Sequence, residues 1–98
     1  MKAALLVQNR IQYTEAAFAD LVLWQVPKPV KGSAHTYKYR LAYVVNSVCV
    51  LRYDNEAGKG DHKHIGAAQR PYAFKSVEQL VADFQRDIVR WNNENRNS

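Results

Sequence analysis

Residues 36–54, TYKYRLAYVVNSVCVLRYD, decide the fold. Two runs, Thr36 to Val45 and Val48 to Asp54, flank the dipeptide Asn46–Ser47. β-Branched and aromatic residues fill both, as suits strands that pack on a pleated, half-buried surface. Asparagine tolerates the positive φ that two-residue hairpin turns demand, although glycine would serve better than Ser47 at the second position. The stretch therefore predicts an antiparallel hairpin. With a two-residue loop, Val45 faces Val48, Tyr43 faces Val50, Leu41 faces Arg52 and Tyr39 faces Asp54 on one side of the sheet. Lys38, Arg40, Ala42, Val44, Cys49, Leu51 and Tyr53 are expected on the other side, with Arg40 across from Tyr53. Both sides become more polar toward one end, and that end runs into a glycine-containing loop.

Upstream, Ala17 to Val26 (AFADLVLWQV) is largely apolar on both alternating faces, which predicts a central strand covered on both sides, with Trp24 in the core. Lys2 to Tyr13 carries Leu5, Leu6, Val7 and Ile11 and reads as a first strand, with a turn around Tyr13 to Glu15. Pro27 and Pro29 lack a backbone N–H and push the residues before them toward extended geometry, so PKPVKGSAH is an exposed, basic loop. Downstream, PYAF (71–74) reads as a short edge strand, with Pro71 leading it. Ser76 with Gln79 forms a capping box, and Val77, Leu80, Val81, Phe84, Ile88 and Trp91 recur at helical spacing. Residues 92–98, polar and rich in Asn, read as a frayed tail. The expectation is a single α+β domain over 1–98: an antiparallel sheet of about four to five strands with a C-terminal amphipathic helix on one face.

Ninety-eight residues suit one domain, and 47% hydrophobic content with 4 Gly and 3 Pro suits a globular one. A single cysteine, Cys49, cannot form an intramolecular disulfide, which fits a reducing cytoplasm. The start, MKAALLVQNR, is short of a signal peptide's apolar region, and no stretch approaches a membrane span. A net charge of +5 is modest, but its distribution is uneven. Between Val26 and Val50 stand Lys28, Lys31, Lys38, Arg40 and His35 with no acidic residue, a basic arm suited to a polyanion such as RNA or simply to a wet surface.

Chemistry concentrates in residues 52–64, RYDNEAGKGDHKH, which hold two of the three histidines. Arg52, Lys59 and Lys63 offset Asp54, Glu56 and Asp61. An extended backbone puts His62 and His64 on one side and Asp61 and Lys63 on the other. Two imidazoles alone are not a zinc site, and Asp54, Asp61, His35 and Glu56 have no diagnostic spacing, so neither metal nor cofactor is expected. Cleavage of RNA through its own 2′-hydroxyl matches better, because it needs a base, an acid and cations for the developing charge. On that reading His62 and His64 are the acid and base, Lys59 and Arg52 stabilise charge, and Tyr53, Asp54 and Asp61 complete the catalytic set. Lys28, Lys31, Lys38, Arg40 and Lys63 would contact phosphates, with Tyr39 stacking on a base. The bland counterpart is a solvated loop whose histidines pair with Asp54, Glu56 or Asp61 and do nothing else. GKG is too short for a P-loop.

The segment KYRLAYVVNSVCVLRYDNEAGKGDHKHI, with WQVPKPVKGSAH before it and PYAFKSVEQLVADF after it, resembles the TumE family of small bacterial toxins, encoded beside a helix-turn-helix antitoxin. The resemblance runs from about Leu21 to Phe84 and is most specific in YDNEAGKGDHKH. It implies a type II toxin that restrains growth by acting on RNA or translation, together with a cognate antitoxin that neutralises it. Tyr53, Asp54, Asn55, Gly58, Lys59, Gly60, Asp61, His62 and His64 carry the motif. The leading expectation is therefore an endoribonuclease toxin whose partners are RNA, free or on the ribosome, and the antitoxin, in a homodimer or hetero-oligomer and away from membranes. A toxin that transfers a nucleotidyl or other group is the alternative within the family. A non-enzymatic nucleic-acid or protein-binding module is the alternative outside enzymes.

Overall fold

In a computed structural model, which describes residues 2–95, the alternating segments pair in chain order into one antiparallel sheet. Its six strands are β1 (Ala4–Thr14), β2 (Ala17–Gln25), β3 (Tyr37–Val45), β4 (Val48–Asp54), β5 (His62–Ile65) and β6 (Ala68–Pro71), followed by one helix, α1 (Val77–Asn95). The class is the expected α+β, with six strands where four to five were expected. The difference arises at Gly66, whose φ of 58° lets the chain reverse within two residues, so that Ile65 pairs Ala68. The last strand is consequently Ala68–Pro71 rather than PYAF, and Pro71 ends it instead of leading it.

Helix α1 covers one face of the sheet. Leu80, Phe84 and Ile88 are spaced to meet that face, and they close over Ala17, Ala19, Leu21, Leu23, Tyr39, Leu41, Tyr43, Leu51 and Tyr53. Leu80, Phe84 and Ile88 each contribute about 1.5–3 kcal/mol by leaving water, and Phe84→Ala would cost about 3–5 kcal/mol. Ser76 Oγ accepts the Gln79 N–H at 3.0 Å, half of the capping box; the Gln79 amide turns instead to Asp83, at 2.7 Å. Helix α1 continues past Asn92, the expected start of the tail. Tyr43 Oη donates to Asn92 Oδ1 at 2.7 Å and Asn95 Nδ2 donates to the Trp91 carbonyl at 2.8 Å, so the coil runs on to Asn95. Residues 96–98 of the expected tail lie outside the described residues.

No described element covers the opposite face. Strand β2 is therefore buried on one side only, and Phe18, Val22 and Trp24 on its other side are half-buried rather than core. Arg10 shields Phe18 with its guanidinium, 4.1 Å from the ring centroid, while pairing with Asp20 at 2.7 Å.

The hairpin of β3 and β4 turns as expected, with Asn46 and Ser47 both at positive φ (51° and 67°), but its register shifts. Val45 pairs Val48 and Val44 pairs Cys49; a bulge then leaves Val50 unpaired, and Tyr43 pairs Leu51, Leu41 pairs Tyr53 and Arg40 pairs Asp54. One inserted residue exchanges the faces of everything after it. Leu51 and Tyr53 thus join Leu41 and Tyr43 under the helix, whereas Arg52 and Asp54 join Arg40 and Ala42 on the uncovered face. The arrangement expected from an unbroken ladder, Arg52 and Asp54 beside Tyr39 and Arg40 opposite Tyr53, is corrected by this bulge. The Val50 carbonyl accepts the Gly66 N–H at 3.0 Å, so the extra residue's acceptor is satisfied.

Candidate functional site

Strand pairing alone assembles the site. Asp54 stands beside His62 and Arg52 beside His64, each pair in register between β4 and β5 on the face that the helix leaves open. His62 Nε2 lies 2.6 Å from Asp54 Oδ1, Arg52 Nε lies 3.1 Å from Asp54 Oδ2, and Arg52 Nη2 lies 2.9 Å from His64 Nε2. The two imidazoles meet edge to face with centroids 4.9 Å apart. Arg40, paired with Asp54 from the other side, is exposed beside them.

Hydrogen-bond direction fixes the state of each ring. A carbonyl cannot donate, so His62 Nδ1 carries the proton in its 3.0 Å contact with the Gly60 oxygen. The facing Nε2 then meets a buried carboxylate at 2.6 Å, a contact that is repulsive unless a second proton or another cation lies there. Arginine only donates, so His64 Nε2 accepts from Arg52 and His64 is neutral. Desolvation lowers the His64 pKa below the ordinary imidazole value, and the charges of Arg52 and His62 lower it further. Neither Asp54 Oδ1 nor Arg52 Nε, both buried, has a hydrogen-bond partner of good geometry: their ion pairs are close in distance but poorly aligned.

His62 is only 5% exposed, and it reaches solvent through a cavity of about 250 Å³ lined by Lys59, Asp61, His62, Gln69, Arg70 and Pro71. Lys59 is exposed and pairs with Glu56 at 3.4 Å, which lowers the Glu56 pKa. Gln69 and Arg70 were invisible in the sequence as site residues. They arrive because Gly66 folds β6 back along β5, and the signal for it was the glycine after the histidine pair.

Other expected members lie elsewhere. Tyr53 is fully buried under the helix and donates to Asp87, with burial and then that hydrogen bond raising its pKa; it does not orient the histidines. Lys63 points to the same side and pairs with Asp87 at 3.3 Å, away from the imidazoles. Tyr39 is 3% exposed and donates to Asp61 at 2.6 Å, so it is not free to stack on a base. Asp61 accepts from Ser33 at 2.6 Å, His35 at 2.7 Å and Tyr39. Burial alone would raise its pKa, but these three donors hold it below the ordinary carboxylate value. Its work is to anchor the 26–36 loop.

Asn55 shares that work, accepting the Tyr39 N–H at 3.0 Å and donating to the Tyr37 carbonyl at 2.7 Å. The two loops touch so closely that a Cβ on Gly32 would sit 2.7 Å from the Gly60 nitrogen. Gly58 N–H donates to the Lys31 carbonyl at 2.6 Å, which ties the backbone of the basic arm to the glycine loop. His35, the third histidine, accepts the Tyr37 N–H on Nδ1 and stacks on Phe74 at 3.8 Å, a neutral structural ring. Lys38 and Arg40 are exposed on the uncovered face, and Lys28 and Lys31 are exposed on the loop.

No curated protein and no solved structure matches the chain. The family model described as Toxin TumE matches residues 3–92. That match spans nearly the whole described chain, from the first strand through most of the helix, and includes every residue of the Asp54–His62–His64–Arg52 cluster; the chain belongs to the TumE toxin family.

Proposed function

We propose that this toxin is an endoribonuclease that cleaves RNA by attack of its own 2′-hydroxyl, with His64 as base and His62 as acid. The supporting observation is the unequal state of two adjacent rings: His64 accepts from Arg52 and is neutral, while His62, bonded to Gly60 and facing Asp54 at 2.6 Å, is matched to carrying both protons. His64 takes the 2′-hydroxyl proton as the 2′ oxygen attacks phosphorus. His62 gives its Nε2 proton to the departing 5′ oxygen, leaving a 2′,3′-cyclic phosphate and a 5′-hydroxyl. Arg52, released from His64 as substrate binds, stabilises the charge gathering on the phosphorane with Arg40 and Lys59. Lys38, Lys28 and Lys31 hold the strand by its phosphates. The cognate antitoxin, expected to be of the helix-turn-helix kind, neutralises the toxin by covering this open face. Incubation of the purified protein with total RNA, with and without chelator and nucleotide, followed by end mapping, tests the reading. Cyclic-phosphate ends that appear without nucleotide and with chelator present are expected; nucleotide-dependent modification without new ends would replace the nuclease by a transferase.

A further inference from the structure

We propose that Asp54, His62 and His64 also bind one transition-metal ion of the zinc class, and that this ion silences the site by occupying the atoms that acid–base chemistry uses. The binding half of this inference stands on geometry alone, whereas the silencing half rests on the ribonuclease reading. One donor atom from each of the three residues falls within 4.8 Å of the other two. Around zinc, bond lengths near 2.0–2.1 Å put tetrahedral donors about 3.3 Å apart. The Asp54–His62 contact of 2.6 Å must therefore open by about 0.7 Å and His64 must close in, movements within the reach of side-chain torsions.

Three features favour an ion there. His62 Nδ1 is held by the Gly60 carbonyl, the outer contact that metal-binding imidazoles use to aim the other nitrogen. Asp54 Oδ1 is buried, and its 2.6 Å ion pair with His62 Nε2 is poorly aligned for a hydrogen bond, so an ion that takes both atoms displaces only that pair. The permanent cation at the site is the Arg52 guanidinium, whose Nε also lacks a hydrogen bond and whose side chain is 32% exposed, so it can withdraw into water. Two imidazoles with one carboxylate select zinc, nickel or copper over magnesium or calcium, and three protein ligands leave a fourth position for water or a phosphate oxygen. In the sequence Asp54 could not be told apart from Asp61, His35 and Glu56 as a third ligand, because it lies eight residues before His62 and is brought alongside only by the strand pairing.

Cobalt(II) titration of the full chain, read by its visible d–d absorption with zinc as competitor, tests the binding half. We expect one ion per chain, affinity at least about tenfold weaker in His64→Gln and in His62→Gln, tighter binding in Arg52→Gln, and no displacement by millimolar magnesium. Absence of tetrahedral-type bands, or equal affinity in wild type and both histidine variants, would overturn it; His64, being only half-buried, provides the variant least exposed to folding failure. Zinc should then suppress RNA cleavage with a midpoint matching its spectroscopic affinity. Cleavage that requires zinc would overturn the silencing while leaving the site, and cleavage indifferent to bound zinc would do the same.

Discussion

Replacing Asp54 by Asn removes the charge between His62 and Arg52 while leaving the shape nearly unchanged. Asp54 is 4% exposed, with one oxygen 2.6 Å from His62 and the other 3.1 Å from Arg52. Breaking a fully buried pair costs about 3–5 kcal/mol, but Arg52 is one-third exposed and recovers hydration, so about 1–3 kcal/mol is expected in urea unfolding. The effect on rate should be larger in kind. Without the carboxylate, His62 loses the charged group that its Nε2 faces at 2.6 Å and that positions it as the acid, and losing a positioned acid lowers cleavage about 100-fold or more. The assay is single-turnover cleavage of a defined RNA under saturating protein, alongside a binding isotherm. RNA affinity should rise slightly or stay level, since a negative charge leaves the binding face. An Asp54→Asn protein that is destabilised yet cleaves at the wild-type rate would refute the assignment of Asp54 and His62 to the chemistry.

If Lys38 and Arg40 carry RNA, changing either to Ala should make the salt dependence of affinity shallower by about one unit, whereas Tyr39→Phe, at a buried position, should leave RNA affinity unaltered; slopes unchanged in the first two would move the strand elsewhere. Burial would raise the Asp83 carboxyl, but hydrogen bonds from Tyr72 and Gln79 and the charge of Arg86 outweigh it and depress the pKa below 3.8. Its contribution to stability is therefore present above the unfolded value and lost as pH falls through the folded one, and Asp83→Asn should flatten the acid-side fall in Tm; an identical acid limb would contradict this. Ser47 sits at φ 67°, strained for a residue with a Cβ, so Ser47→Gly should stabilise by about 0.5 kcal/mol after glycine's entropy is subtracted, as chemical unfolding can measure.

The hairpin turn, the extents of β3 and β4, the capping serine and the apolar stripe of α1 were all legible, because each follows from local preference or from a period that the residues themselves display. Alternation also put His62 and His64 on one side. What local pattern does not contain is the bulge at Val50, since an apolar residue there fits a continuous ladder as well as a broken one. Tyr39 was grouped with Arg52 and Asp54 for that reason, whereas Tyr53 and Lys63 were assigned by residue type although alternation already set them opposite Arg52, Asp54 and the histidines. Likewise, Asp61 and His35 look reactive by composition and become structural through contacts between loops more than twenty residues apart. The apolar residues on the second side of β2 suggested a covering layer, yet Phe18 is shielded by Arg10, a long side chain serving where an element was expected.

Val50 is informative by its presence rather than its chemistry. Being unpaired, it can be exchanged for another apolar residue with little effect, but removing it would restart the count of the pleat and turn Arg52 and Asp54 inward while expelling Leu51 and Tyr53. The position behaves as a spacer in a code read by parity. Half-buried against the core, Val50 should tolerate apolar exchange, whereas a single-codon deletion there would erase core and site together.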